Sequence, residues 1–322
     1  MLPSMRIAMV AFPEVQALDV IGPLEVFGRA ARLLRDRGAR EAYEVEILAA
    51  APGPVRTSSG FRLQADRAFR DARGLDTLLV AGGLGTQRAI EDRRLVPWLR
   101  RMAPRVRRMG SVCTGAFLLA EAGLLDGRRA ATHWQHCDEL AARYPRVRVE
   151  RDPVFIHDGL YTSAGVTAGM DLALALVEED FGPELALEVA RELVLYVRRP
   201  SGQPQLSAQL AGQLARRRPL RELQLYVAEH LEQDLSLTAL ARRAGMSPRN
   251  FSRAFAREVG VPPARFVERT RVEKVRRLLQ EGDDGVDAIA AGCGYASAEV
   301  MRRALVRATG LSPRGYRAHA RG

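Results

Sequence analysis

L-T-A-L-A-R-R-A-G-M-S-P-R-N-F-S-R-A-F, from Leu237 to Phe255, decides the fold of the last third of this chain, because a related stretch follows it. The second stretch, V-D-A-I-A-A-G-C-G-Y-A-S-A-E-V-M-R-R-A-L, runs from Val286 to Leu305. Matched positions lie 49 residues apart before the central turn and 50 residues apart after it. An internal repeat indicates a structural unit that cannot bury its apolar face alone.

Each copy has the order of a helix-turn-helix. An apolar helix ends at a glycine, Gly245 or Gly294, and a serine that can cap the next helix follows, Ser247 or Ser297. Residues 264–280, between the copies, contain no glycine or proline and predict one linking helix. The pattern therefore predicts an all-α C-terminal domain with two helix-turn-helix units.

The second helix of each copy combines an apolar face with a polar stripe. Residues spaced by three or four share a helix face, which predicts as core Phe251, Ala254, Phe255, Met301 and Leu305. The same spacing predicts as DNA contacts Arg249, Asn250, Arg253 and Arg257 in the first copy, and Glu299, Arg302, Arg303 and Arg307 in the second. An arginine stripe is ordinarily a solvated face, but this one recurs in two copies. We expect base contacts from its N-terminal residues, where Glu299 could accept from a cytosine amino group.

Charge points to the same partner. Residues 216–322 hold 21 basic and 12 acidic residues, a balance of +9, whereas the preceding residues hold 28 and 26, a balance of +2. A basic helical domain is typical of proteins that bind double-stranded DNA. Two such units could enter major grooves about 34 Å apart. Basic residues expected to touch phosphate or solvent are Arg265, Arg271, Lys274 and Arg276.

Residues 219–318 resemble the AraC/XylS-type DNA-binding domain. The closing G-L-S-P-R-G-Y-R, from Gly310 to Arg317, is similar to the signature of that family. The family usually carries aromatic residues where Met301 and Leu305 stand, a departure that keeps these positions apolar. The resemblance implies a DNA-binding transcription factor, with RNA polymerase as a further candidate partner.

The first two thirds of the chain alternate strand and helix patterns. Strands are predicted at 5–12 and 77–80, and an amphipathic helix at 168–181. A loop is expected at 13–22, followed by a helix that begins at Pro23. This alternation favours an α/β fold, a flavodoxin-like parallel sheet domain with helices on both faces, before the all-α domain.

A stretch rich in proline and polar residues, from Arg198 to Gln205, interrupts this alternation. We expect a sensor domain at 1–198, a linker at 199–218 and the DNA-binding domain at 219–322. Each domain is long enough to bury a core of its own.

S-V-C-T-G, from Ser111 to Gly115, places Cys113 between a strand and a helix, as in a nucleophile elbow. The helix N-terminus would favour a thiolate there. Asp19 is expected in the loop after the first strand. Gly82 and Gly83 could present their amides to an anion, and His133 could exchange a proton with the thiol. A buried cysteine is more often mere packing, so the hypothesis rests on the combination.

Residues 5–195 resemble the class I glutamine amidotransferase-like superfamily, in particular its PfpI and isonitrile hydratase-like members. The stretches that carry the resemblance are L-D-V-I-G-P-L-E-V-F (18–27), A-G-G (81–83), S-V-C-T-G-A-F (111–117) and D-G-L-Y-T-S-A-G (158–165). Asp19, Cys113 and His133 fall on that family's acidic, elbow and downstream histidine positions, and Thr114 follows the cysteine as in the isonitrile hydratase-like members. The ligand-binding candidates are Asp19, Gly83, Cys113, Thr114 and His133.

Together the halves resemble GlxA-like AraC-family regulators. That resemblance implies that the N-terminal domain binds a small nitrogenous metabolite, the effector, rather than turning it over. An alternative is a cysteine-dependent hydrolase or isonitrile hydratase-like enzyme with a DNA-binding tail, for which the catalytic candidates are Cys113, Asp19 and His133. A third interpretation is redox sensing by Cys113, with Cys137 approaching in space.

Composition narrows the remaining choices. Three scattered cysteines, Cys113, Cys137 and Cys293, do not have the spacing of a zinc site, so we expect no metal and no cofactor. The chain has no apolar run of 18 residues and no convincing signal peptide, so we expect a cytoplasmic protein without membrane contact. A homodimer is expected, since paired DNA readers bind cooperatively.

Overall fold

The structure, a computed structural model, describes residues 4–39, 42–195, 199, 205, 218–282 and 284–321. The chain divides into two compact units, residues 1–205 and 206–322. The linker expected at 199–218 lies outside the described residues, except for Arg199, Gln205 and Arg218. None of the described helices is both long enough and apolar enough to cross a membrane.

The first unit alternates strands and helices. Its strands are β1 Ser4–Val10, β2 Ala42–Ala49, β3 Gly53–Arg56, β4 Arg62–Ala65, β5 Arg67–Ala68, β6 Thr77–Val80, β7 Arg108–Val112, β8 Arg129–Ala130, β9 Arg148–Val149, β10 Phe155–His157 and β11 Tyr161–Ser163. Its helices are α1 Ala17–Asp36, α2 Thr86–Ile90, α3 Leu95–Met102, α4 Gly115–Glu121, α5 Cys137–Arg143, α6 Ala168–Phe181 and α7 Pro183–Glu192. Short 3₁₀ turns lie at Phe69–Asp71, Ala103–Arg105 and Trp134–His136.

A seven-stranded sheet with the order β10-β11-β7-β6-β1-β2-β5 forms the centre of the first unit. Its neighbours pair in parallel, apart from the antiparallel pair β10–β11. Every residue of β6 and β7 is buried, as expected where helices cover both faces of a parallel sheet. The α/β fold predicted from the sequence is confirmed.

The strand order reverses at β1, which pairs with β2 on one side and with β6 on the other. Connections that leave neighbouring strands in opposite directions open a crevice at the carboxyl ends of those strands. The segments after β1, β6 and β7 therefore meet at one edge of the sheet, where the candidate site lies.

One element begins earlier than expected. Helix α1 starts at Ala17 and contains Pro23, so the loop predicted at 13–22 is wrong over its second half. The helix continues through the proline because its first turns pack into the core: Asp19 and Val20 are fully buried, and Gly22 lies against Met170 of α6. The helix predicted at 168–181 is confirmed as α6.

The second unit is helical throughout its described residues. Its helices are α8 Arg218–Glu229, α9 Leu237–Arg243, α10 Pro248–Val259, α11 Pro263–Glu281, α12 Val286–Gly292, α13 Ala298–Thr309 and α14 Pro313–Arg321. Helix α11 is the linking helix predicted at 264–280. The helices α9–α10 and α12–α13 form the two predicted helix-turn-helix units.

Each helix-turn-helix has its own core, and α11 contributes to both. Phe251 and Phe255 pack with Phe266 from the first half of α11, with the rings of Phe255 and Phe266 centred 5.5 Å apart. Met301 and Leu305 pack with Val275 from the second half of α11. The predicted core positions of both copies are buried, and α11 joins the two units through apolar packing.

The predicted turns and caps are present in both copies. Gly245 and Gly294 adopt left-handed backbone angles, with φ of 65° and 74°. The Ser247 and Ser297 hydroxyls accept from the backbone N–H groups three residues later, at 3.4 and 3.3 Å. These bonds satisfy N–H groups that the helix itself leaves unpaired.

Candidate functional site

Cys113 stands on a strained turn directly after β7. Its φ is 56°, a backbone conformation that residues other than glycine rarely adopt. Two glycines make room for it: a Cβ atom at Gly165 would lie 2.2 Å from the Cβ of Cys113, and one at Gly82 would lie 2.9 Å from it. The side chain of Cys113 is held rigidly at the edge of the sheet as a result.

Asp19 lies in the first turn of α1, not in a loop, and is fully buried. Its carboxylate accepts from the backbone N–H groups of Gly82, at 3.1 Å, and Val166, at 2.7 Å. Burial nevertheless raises the pKa of Asp19 to about 6, because desolvation outweighs these bonds and a further one from the Cys113 thiol.

The surroundings of Cys113 disfavour the thiolate that the sequence predicts. Burial, and next the negative charge of Asp19, raise the pKa of the Cys113 thiol, and bonds from Thr114 only partly oppose this. This direction disfavours the thiolate form of Cys113. The backbone N–H of Thr114, beside the start of α4 at Gly115, lowers the pKa of the thiol but does not outweigh burial.

Thr114 connects the elbow to the loop after β6. Its Oγ1 atom accepts from the Gly83 N–H at 2.9 Å and shares a hydrogen bond with Thr86 Oγ1 at 2.8 Å. The Gly82 N–H is already bonded to Asp19. The expectation that these glycine amides bind an anion is therefore wrong, since each already has an acceptor within the protein.

His133 lies near the elbow but serves another bond. Its Nδ1 atom accepts from the Gln135 N–H at 3.4 Å and caps the 3₁₀ turn that follows. Burial and the neighbouring His136 lower the pKa of His133. No hydrogen bond of the described residues joins His133 to Cys113, so the proton partner of the thiol is Asp19.

A cavity of about 340 Å³ lies above Cys113. It brings together Gly83, Cys113, Thr114 and His133, while Asp19 lies beneath it as a support for Cys113. The other lining residues are Gln16, Ser58, Leu84, Thr86, Gln87, Phe117, Gln135, His136, Glu139 and Val166. A cavity of this size, with a few polar groups in an apolar wall, suits a small metabolite.

The four DNA-contact candidates of the first copy lie exposed on α10. Arg249, Asn250 and Arg253 have no side-chain ion pair or hydrogen bond within the described part of the chain. Arg257 approaches Glu258 at 3.9 Å, near the limit for an ion pair. Helix α10 therefore presents free cations to solvent.

Helix α13 of the second copy differs. Glu299 accepts two bonds from Arg302, each 2.8 Å long, and lies 3.7 Å from Arg303. Arg307 bonds to Glu268 of α11 at 2.7 Å. All four candidates are exposed, but their charges are largely neutralised within the protein.

Two basic residues of the linking helix α11 were expected to touch phosphate or solvent but lie against other parts of the second unit. Arg276 is only 3 % exposed, and its guanidinium lies 5.7 Å from the ring centre of Tyr316. Arg271 donates to the carbonyl of Leu231 at 3.0 Å. Both side chains serve packing between helices rather than phosphate contact, because the fold turns this face of α11 inward. Lys274, bonded to a carbonyl of α12, and the exposed Arg265 remain on the surface.

Known proteins share both units. Residues 5–179 match the sequence profile of the DJ-1/PfpI family. The chain belongs to the DJ-1/PfpI family. Residues 240–319 match a helix-turn-helix domain, which follows the DJ-1/PfpI domain as an AraC-type unit.

Two relatives span both domains of this DJ-1/PfpI protein. The HTH-type transcriptional regulator CdhR of Pseudomonas aeruginosa is 33% identical over 278 residues, covering 86% of this chain and 82% of the relative. The HTH-type transcriptional regulator GlxA of Rhizobium meliloti is 30% identical over 292 residues, covering 90% and 88%. The resemblance to GlxA-like regulators is thereby confirmed.

A third relative corresponds mainly to the DJ-1/PfpI domain. Isonitrile hydratase of Pseudomonas putida is 34% identical over 227 residues, covering 69% of this chain and 95% of the enzyme. Transcriptional regulators and an enzyme therefore share this domain, and the chemistry at Cys113 has to distinguish between them.

The wall of the DJ-1/PfpI cavity includes residues that the sequence did not reveal. Glu139 on α5 bonds to His136 Nδ1 at 3.0 Å and receives a weak bond from Gln87 at 3.5 Å. Phe117 packs edge-on against His136. Phe117 belongs to the stretch S-V-C-T-G-A-F, but nothing in the local sequence connects it to Glu139, 22 residues later.

Proposed function

We propose that this chain is a sequence-specific DNA-binding transcriptional regulator whose DJ-1/PfpI domain binds a small nitrogenous metabolite in the cavity above Cys113. One observation carries the proposal: a cavity of metabolite size and two exposed polar recognition helices occur in one chain. Recognition helices read base edges in the major groove, while surrounding cations hold phosphates.

The two helix-turn-helix units contribute unequally to DNA binding. Arg249 and Arg253 of α10 can reach DNA without breaking an ion pair. Arg302 and Arg303 of α13 must first part from Glu299, or bind as a unit with it. The first unit therefore supplies most of the affinity, and the second adds discrimination between sequences.

The cavity favours a ligand with nitrogen donors. Glu139 contributes a carboxylate to the wall, and Phe117 and His136 contribute aromatic rings to it. A carboxylate accepts from N–H groups, and aromatic faces attract cations. These groups support a nitrogenous effector over an acidic one.

The same site supports binding rather than turnover. A nucleophilic cysteine reacts as the thiolate, but burial and Asp19 raise the pKa of the Cys113 thiol and so disfavour that form. His133 caps a turn and is not bonded to the thiol. The relative that is an isonitrile hydratase keeps a second candidate function open, a cysteine-dependent hydrolase or hydratase with a DNA-binding tail.

Selection of binding sites from random duplexes, followed by fluorescence anisotropy, tests the DNA-binding proposal. Arg253→Ala should weaken binding of the selected duplex by about 1–3 kcal/mol, whereas Arg303→Ala should cost less. Arg101→Ala, an exposed arginine of the first unit, is the control and should leave affinity unchanged. Equal losses from the two recognition helices would reject the asymmetry, and failure to select any sequence would reject specific DNA binding.

Thermal-shift screening of amines, amino acids and betaines tests the effector. A hit should raise the melting temperature of the wild-type chain and change its affinity for the selected duplex. Turnover of amides or isonitriles that disappears in Cys113→Ser would instead support the enzyme.

Partners and boundaries complete the proposal. We infer a homodimer that binds double-stranded DNA and contacts RNA polymerase, with a sensor domain at 1–198 and a DNA-binding domain at 219–322. Light scattering during size-exclusion chromatography measures the oligomeric state, and a monomer both free and on the selected duplex would contradict the dimer.

A further inference from the structure

Gln205, the last residue of the first unit, is hydrogen-bonded to backbone carbonyls of that unit. Its backbone N–H donates to the Asp152 carbonyl at 2.8 Å. Its side-chain Nε2 donates to the carbonyls of Thr132, at 2.9 Å, and Arg151, at 3.1 Å, and more weakly to Pro153, at 3.4 Å. Four backbone carbonyls thus hold one residue of the chain that leads on to the second unit.

Thr132 connects this anchor to the cavity. Its hydroxyl donates to the Cys113 carbonyl at 2.9 Å, and its side chain is fully buried. The next residue, His133, lines the cavity. A ligand that moves His133 or Cys113 therefore also moves the carbonyl that accepts from Gln205, because a close-packed interior transmits displacement.

Arg199 makes a second anchor, on the start of α6. Its backbone N–H and its guanidinium both bind the carboxylate of Asp171, at 2.9 and 2.6 Å, and the guanidinium also donates to Thr167 Oγ1 at 2.8 Å. Thr167 follows Val166, which lines the cavity and donates to Asp19. Each anchor thus bonds to a residue that is the sequence neighbour of one lining the cavity.

The Gln205 anchor is incompletely satisfied. Its Oε1 atom is buried and has no hydrogen-bond partner within the described part of the chain. An unpaired buried acceptor opposes the docked state, since the same oxygen would be hydrated once released. The unpaired acceptor offsets part of the stabilisation that the four hydrogen bonds supply, which favours a contact that can be released.

We propose that Arg199 and Gln205, the exit anchors, are held on segments that adjoin the cavity lining, and that occupancy of the cavity changes DNA binding by changing this hold. The inference rests on the proposed function, in which a cavity ligand controls DNA binding. Gln205 acts as a positioning residue and does not touch the ligand.

A double-mutant cycle on the full chain tests the exit anchors. Ser58→Phe fills the cavity from its β-hairpin wall and stands for an occupied state without an identified ligand. Its effect on the Kd for the selected duplex is measured in the wild-type, Gln205→Ala and Gln64→Ala backgrounds. Gln64 is an exposed glutamine of β4 and serves as the matched control.

Ser58→Phe should change Kd by about five-fold or more in the wild-type and Gln64→Ala chains. In the Gln205→Ala chain the change should fall below about two-fold, because the contact that carries it is missing. Gln87→Phe, which fills the cavity from α2, repeats the test if Ser58→Phe does not fold by circular dichroism.

The outcomes separate the two proposals. An undiminished effect of cavity filling in Gln205→Ala would overturn the role of the exit anchors and leave the proposed function standing. No effect of either folded filling variant in the wild-type chain would instead refute control of DNA binding by the cavity, and the exit anchors with it.

Discussion

At the scale of single residues, Asp19 makes the stability of the first unit depend on pH. Its pKa is about 6 when folded, against an ordinary value of 3.8, so the folded state binds the proton more tightly. The contribution of Asp19 to the free energy of unfolding is complete below about pH 4. It is lost as the pH rises through 6, a change of roughly 3 kcal/mol for this shift in pKa.

Urea unfolding at pH 4–7.5 checks this prediction. Both tryptophans, Trp98 and Trp134, belong to the first unit, so their fluorescence reports on that unit alone. The free energy of unfolding of the wild type, relative to Asp19→Asn, should fall across this range because asparagine does not titrate. A constant difference would contradict a raised pKa for Asp19.

Cys113 provides the second prediction at this scale. Because burial and Asp19 raise the pKa of its thiol, alkylation by iodoacetamide at pH 7.5 should be at least about ten-fold slower than for a cysteine peptide. The rate should still be rising at pH 9 and should increase in Asp19→Asn, which removes the neighbouring charge. Peptide mapping distinguishes Cys113 from Cys137 and Cys293, and a plateau below pH 8 would indicate a thiolate.

At the scale of elements, the two copies of the repeat differ at equivalent glycines. Gly245 and Gly294 have similar left-handed angles, but a Cβ at Gly294 would lie 1.8 Å from the Leu231 carbonyl, whereas one at Gly245 would meet nothing within 4 Å. Gly245→Ala should therefore cost about 1–2 kcal/mol, the conformational cost alone. Gly294→Ala should cost more, because the turn must also move away from the end of α8.

Thermal unfolding of residues 219–322 followed by circular dichroism measures this difference. A lower melting temperature for Gly294→Ala than for Gly245→Ala is expected. Equal values would mean that the contact with Leu231 relaxes without cost.

At the scale of the whole molecule, the separate cores of the two units predict that each folds alone. Residues 219–322 should be helical and should still bind the selected duplex. Their affinity should be reduced if dimerisation depends on the first unit. Residues 1–198 should fold and bind no DNA. An unfolded 219–322 fragment in circular dichroism would contradict the proposed boundaries.

Much of the fold could be predicted because its signals are local. The repeat, its glycine turns and serine caps, and the apolar spacing of Phe251 and Phe255 depend on neighbours within one or two helical turns. Helix α6 was predicted to the residue for the same reason. Helix α1 was not, because packing against α6 overrides the tendency of Pro23 to begin a helix.

The sequence by itself determined the two domains in their order, the recognition helices and the chemical groups near Cys113. Only the tertiary structure decided what those groups do. Asp19 rather than His133 reaches the thiol, and Arg276 is buried. Glu139 lines the cavity, and Gln205 bonds to Thr132, the residue next to the lining residue His133. Burial and the pairing of charges depend on residues that are distant in sequence, and the packed fold alone brings them within hydrogen-bonding distance.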